Sequence, residues 1–167
     1  MALNAEQEEA LQFVSAGHNL LITGQAGVGK SKLVTSIIKD CESRSLKVAV
    51  VCSIGIACTV YSSGLAATVH SCYGLGTADM PAKLVLERSI ATASLVQRVR
   101  EVDVIIWDKA SMSSSRILEL VNTLHHNIAS DGNLSPFGGK QLVLVGEFLQ
   151  LRPVPSRFDD GSFMFNG

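Results

Sequence analysis

Apolar residues cluster in four short runs along the chain, at residues 20–23, 47–52, 102–107 and 141–145. These runs are rich in Val, Ile and Leu without polar alternation, the pattern of strands buried on both faces. Elsewhere the apolar positions recur every three or four residues. That spacing predicts helices over residues 5–16, 31–43, 82–99 and 115–128. In the second of these, Leu33, Val34, Ile37 and Ile38 share one face. Strands alternating with helices predict an α/β fold, a parallel sheet flanked by helices on both faces. Open sheets of this kind bind ligands beyond the carboxyl ends of their strands, so the residues that follow each run carry the candidate chemistry. The stretch 131–139, DGNLSPFGG, reads as a turn-rich loop. Residues 151–155 leave the sheet as extended chain, and 159–167 show no continuing pattern. The expected organisation is one domain over 1–155, followed by a tail or the start of a further segment over 156–167.

Composition narrows the class. A 47% hydrophobic and 17% charged chain can bury a core, which excludes a disordered protein. Fourteen basic against fifteen acidic residues leave a net charge of −1, so any nucleic-acid contact must be local. Cys41, Cys52, Cys58 and Cys72 form no C-x-x-C pair and no metal-ligand pattern. They read as small apolar side chains of a protein in a reducing, intracellular compartment. The N-terminus is acidic, with Glu6, Glu8 and Glu9, unlike a secretory signal. No apolar run approaches the ~20 residues of a membrane span, so no membrane partner is expected.

The richest motif follows the first run. Residues 24–31, GQAGVGKS, satisfy G-x-x-x-x-G-K-[ST] between a strand and a helix. Gly24, Gln25, Ala26, Gly27, Val28 and Gly29 would turn their backbone N–H groups toward an anion at a helix N-terminus. Lys30 would reach the β- and γ-phosphates, and the Ser31 hydroxyl would hold Mg²⁺. The third run ends in Asp108, an expected second Mg²⁺ ligand through its water shell. The fourth ends in Gly146-Glu147, with Gln150 three residues later. An amide both donates and accepts, so Gln150 could contact the γ-phosphate or orient a water. Finally, Gly55-Ile56-Ala57 and Thr68-Val69-His70-Ser71 combine small residues with hydroxyls, which allows close approach to an anionic backbone. A lone histidine such as His70 is also compatible with a purely structural place.

Taken in order, these segments resemble the first RecA-like domain of the Pif-type DNA helicases, the Pif/RecD branch of superfamily one. The matches are Leu3-Asn4-Ala5-Glu6-Gln7, the phosphate loop, Gly55-Ile56-Ala57, Thr68–Ser71, Asp108 with Ser111-Met112, and Gly146 with Phe148–Leu151. They span most of residues 3–155. The resemblance implies a P-loop, RecA-like ATPase that uses ATP and Mg²⁺ to move 5′-to-3′ on single-stranded DNA, in DNA repair, recombination or telomere maintenance. It implies that Gln7 binds adenine and that Gly55, Thr68 and His70 contact the DNA backbone. It also implies a nuclear or mitochondrial location; the oligomeric state is left open, with a monomer as the favoured expectation.

Four departures qualify it. Lys109 stands where the family has the glutamate that activates the attacking water, and an ammonium has no acceptor for that proton. Glu147 replaces an aspartate and is a candidate substitute for the missing carboxylate. Arg152 replaces a proline and Ile54 a threonine. The sequence ends after the third motif, without the second RecA-like domain and its arginine finger, so this chain alone is not expected to unwind DNA. The expectation is therefore binding of Mg-ATP with negligible hydrolysis. Lys109 reads as the mark of a decayed copy or as a single-base variant of a glutamate codon. A non-catalytic module that binds nucleotide or DNA, or another P-loop ATPase such as a small kinase, stays open as an alternative.

Overall fold

The computed structural model describes residues 2–129, 132, 134–149 and 152–165. Five strands form one parallel sheet: β1 Leu20–Thr23, β2 Val48–Cys52, β3 Ala66–Thr68, β4 Val104–Asp108 and β5 Gln141–Gly146. Their order across the sheet is β1-β5-β4-β2-β3. The helices are α1 Ala5–Ser15, α2 Lys30–Ser43, α3 Gly55–Cys58, α4 Val69–Cys72, α5 Ala82–Ile90, α6 Ala93–Glu101 and α7 Ser115–Ile128.

The two-residue period of the strands divides the core in two. On β4, Val104 and Ile106 face a cluster that holds Val14 of α1 and Leu33, Val34, Ile37 and Ile38 of α2. Ile105 and Trp107 face the other cluster, with Val85, Leu95, Val99 and Leu124 of α5, α6 and α7. All five β4 residues are buried, which is why this run carries no polar alternation.

Register brings the strand ends level. Thr23 pairs with Gly146, and Cys52 pairs with both Asp108 and Thr68. The phosphate loop, Asp108, Gly146 and the segments at Gly55 and Thr68 therefore emerge on one rim of the sheet.

The structure corrects the single helix predicted over 82–99. It breaks at Ala91-Thr92, where Thr92 is extended (φ −94°, ψ 102°) and its carbonyl accepts from the N–H groups of Leu95 and Val96 to start α6. Ten residues separate Val85 from Leu95, close to three helical turns. Both therefore still face the core, and the apolar period runs through the break unmarked. The strand β3 and the single turns α3 and α4 carried too few apolar residues to register. The loop before β5 also holds more structure than its composition suggests. Phe137 is buried there on a 3₁₀ turn, Pro136–Gly139, with a left-handed backbone. After residue 155 the chain folds back. Ser162 accepts the N–H of Ser115 at 2.9 Å, Phe163 bridges to Ser114, and Met164 enters the core.

Candidate functional site

Gly24, Gly27 and Gly29 all have positive φ, at 148°, 83° and 87°. At Gly24 a Cβ would also lie 2.9 Å from Val28 Cγ2, and at Gly29 it would lie 2.7 Å from Gln7 Nε2. The loop therefore needs glycine for its backbone and for the groups packed on it. Gln25, Ala26, Gly27, Val28 and Ser31 are exposed, so the concave side of the loop is open to an anion. Gly29 caps α2 without a side-chain bond, and the N–H groups of the first turn have no partner within the helix. The Lys30 ammonium lies across the loop, donating to the carbonyls of Gly24 and Gln25, the latter at 2.7 Å.

Gln7 sits beside this loop. Its Oε1 accepts the Asn4 N–H at 3.0 Å, and its own backbone N–H donates to Asn4 Oδ1 at 2.9 Å, a reciprocal cap of α1. Its Nε2 donates to the carbonyls of Val28 and Gly29 at 3.2 and 3.4 Å. An open groove of ≈ 690 Å³ runs from Gln7 past Phe13, Leu21 and Val28 to Lys30.

Asp108 ends β4 and is 7% exposed. Its Oδ1 accepts the Lys109 N–H at 2.8 Å, and its Oδ2 accepts the Tyr61 hydroxyl at 2.7 Å. Burial, reinforced by the Asp108 carboxylate, pushes the Tyr61 phenol well above its ordinary range, so it stays a donor. Lys109 is half-buried and left-handed (φ 55°, ψ 34°), and it opens a 3₁₀ turn, Ala110–Met112. That turn packs on the end of β5. A Cβ at Gly146 would lie 3.0 Å from the Ser111 backbone nitrogen and 3.3 Å from Ser111 Oγ. Gly146→Ala is accordingly expected to lose about 1–3 kcal/mol by overpacking, read as a lower urea midpoint at unchanged slope. Glu147 follows, half-buried. Gln150 lies outside the described residues.

The end of β2 joins the same rim. Trp107 Nε1 donates to Ser53 Oγ at 3.1 Å, Ser53 Oγ lies 2.6 Å from Ser113 Oγ, and the Ser53 N–H donates to the Asp108 carbonyl. Next to it, the Cβ position of Gly55 is 4.0 Å from Thr68 Cγ2, so the two separated segments expected to contact DNA adjoin. Thr68 Oγ1 caps α4 by accepting the Ser71 N–H at 3.1 Å. His70 is half-buried, and burial lowers its pKa against the opposing charge of Asp159. An open groove lined by Thr68, His70, Ser71 and Arg88 continues from there.

The structure thus gathers Lys30, Asp108, Gly146, Gly55 and Thr68 on one rim. Tyr61, Ser53 and Ser113 were missed, because a tyrosine in a turn and isolated serines carry no spacing signal. Among the described residues, no helix is long and apolar enough to cross a membrane, and no cluster of His, Cys, Asp or Glu has the form of a metal site.

Comparison with known proteins identifies the family and the fold. The family model for PIF1-like helicase matches residues 2–162. An ATP-dependent DNA helicase Pif1 from Psychrobacter sp. is 38% identical over 157 residues, covering 91% of this chain and 22% of the relative. The crystal structure of Pif1 helicase from Candida albicans superposes with a TM-score of 0.88 at 35% identity, over 99% of this chain and 36% of that one. A structure of two coordinating Pif1 helicases that addresses unwinding at forked double-stranded DNA gives a TM-score of 0.77 at 25% identity, over 99% of this chain and 40% of that one. The chain therefore spans about a fifth of the length of the Psychrobacter relative.

Proposed function

The chain belongs to the PIF1-like helicase family, and from that premise we propose that its rim binds ATP with Mg²⁺ beside a strand of single-stranded DNA, as the nucleotide-binding unit of a DNA helicase. The observation that carries this reading is the level register of the strand ends. It sets the phosphate loop after β1, Asp108 at the end of β4, Gly146 at the end of β5, and Thr68 at the end of β3 along one edge.

Each residue then has a physical task. The loop N–H groups from Gly24 to Ser31 and the α2 terminus bind phosphate oxygens. Lys30 exchanges its two carbonyl partners for the β- and γ-phosphates. Gln7 and the apolar groove beside it receive the adenine. Ser31 and Asp108 offer only oxygen donors, which suits a hard cation such as Mg²⁺. Bound there, the ion supplies neutralisation of the charge on the β- and γ-phosphate oxygens. Gly55, Thr68 and His70 hold the DNA backbone without reading sequence, and Gln150 reports on the γ-phosphate. The relatives' names, ATP-dependent DNA helicase, support this assignment of nucleotide and partner.

Lys109 separates binding from turnover. An ammonium on the residue after Asp108 accepts no proton from water, so in this reading hydrolysis is slow while ATP binding persists. This observation also favours a second reading, a nucleotide- and DNA-binding module without turnover. Stimulation of ATP hydrolysis by single-stranded DNA decides for the enzyme.

Binding itself is tested by titrating a fluorescent ATP analogue. Lys30→Ala is expected to weaken binding roughly 10- to 100-fold, the loss of one or two charge-assisted hydrogen bonds. An unchanged affinity overturns the reading of the loop.

A further inference from the structure

Resting on the reading of Asp108 as the metal-holding carboxylate, we propose that Tyr61 is a positioning residue for it, fixing the orientation in which Asp108 meets Mg²⁺. The two bonds to Asp108 differ in kind. The one from the Lys109 N–H is local, set by the left-handed turn directly after the strand. The one from the Tyr61 hydroxyl comes from a different segment, the connection between α3 and β3, 47 residues away in sequence. A carboxylate at a strand end can otherwise rotate about its last torsion, which has a broad minimum. The phenol removes that freedom.

Tyr61 can do so because it is itself packed into the core. Its ring is 8% exposed and belongs to the core cluster with Val50, Cys52 and Ala57, against which Ile54, Cys58 and Leu65 pack. Its backbone N–H donates to the Cys58 carbonyl at 3.2 Å. A buried phenol needs a partner for its O–H, and here the partner is a carboxylate oxygen, the strongest acceptor available. A phenylalanine would fill the same apolar space, so packing alone does not call for the hydroxyl. Its one visible task is the bond to Oδ2 at 2.7 Å. Groups that hold a metal-ligating carboxylate in this way typically change metal affinity 10- to 100-fold when removed.

The test is a Mg²⁺ titration of the protein with a fluorescent ATP analogue, comparing wild type, Tyr61→Phe and Asp108→Asn. Tyr61→Phe is expected to raise the half-saturating Mg²⁺ concentration 10- to 100-fold. Its affinity for the analogue in EDTA should equal that of wild type, which a general structural defect would not leave unchanged. Asp108→Asn is expected to lose the Mg²⁺ enhancement altogether. If Tyr61→Phe titrates like wild type while Asp108→Asn does not, the role of Tyr61 is overturned and that of Asp108 stands. If Asp108→Asn also titrates like wild type, the reading of the metal site falls and the inference falls with it. Should Tyr61→Phe lose its cooperative melting transition, Tyr61→Met removes the donor while still filling the apolar space. It is expected to show the same rise in half-saturating Mg²⁺, and a wild-type titration would again overturn the proposal.

Discussion

With glutamate in place of lysine at position 109, the chain is expected to hydrolyse ATP about 10²- to 10⁴-fold faster, the usual contribution of a general base. Single-turnover rates at saturating ATP, Mg²⁺ and oligo-dT measure the ratio directly. The backbone at 109 is left-handed (φ 55°) for a residue that is not glycine, so lysine and glutamate meet the same conformational cost there. The substitution therefore changes the chemistry of the side chain more than the turn that carries it. The residue directly follows Asp108, which ends β4 on the rim from which the phosphate loop also leaves the sheet, so a carboxylate at 109 starts near the proposed phosphate site. Equal rates for Lys109→Glu and wild type would show that the slow step lies elsewhere. The companion variant Glu147→Gln separates a further possibility. If Glu147 supplies part of the missing carboxylate function, residual turnover falls in that variant; an unchanged rate removes Glu147 from the chemistry.

The second large effect is on folding and follows acidity. His125 is 2% exposed. Its Nε2 lies 3.0 Å from the Tyr73 hydroxyl, with the Tyr73 and Phe137 rings 5.6 and 5.9 Å away. Burial, then the charges of Lys140 and His126, lower its pKa from 6.5 to about 4. Between those values the unfolded chain takes up a proton that the folded imidazole refuses. Stability therefore rises with pH across this window. It is fully present above pH 6.5, falls as the solution is acidified, and levels off below about pH 4. A gap of that size corresponds to about 3 kcal/mol. Melting temperature against pH should show the loss in wild type and a flatter profile in His125→Gln, which leaves Tyr73 a partner. Parallel profiles would assign the acid sensitivity to other groups.

Much of this architecture was legible because strands buried on both faces write themselves as unbroken apolar runs. β4 is the clearest case, since no residue from Val104 to Asp108 is exposed. The phosphate loop was legible for a different reason. Its glycines are demanded by positive φ, so the backbone geometry appears directly as residue type. What escaped had no such imprint. β3 is three small residues, and its place at the sheet edge depends on pairing with β2. The break between α5 and α6 preserves the helical period, so counting cannot find it. Tyr61 depends on a partner 47 residues away, and nothing local to it marks a phenol as different from any other buried ring.

The position of β1 has a consequence for how the chain is made. Among the described residues its strand partner is β5, with Leu20 opposite Val143. About 120 residues must leave the ribosome before that pairing can form, roughly 6–24 s at ordinary elongation rates. β2, β3 and β4 need only one another and can assemble first. Until β5 arrives to bridge β4 and β1, the phosphate loop hangs from a strand with no sheet to join. Within this sheet, the strand that carries the phosphate loop is thus made first and paired last.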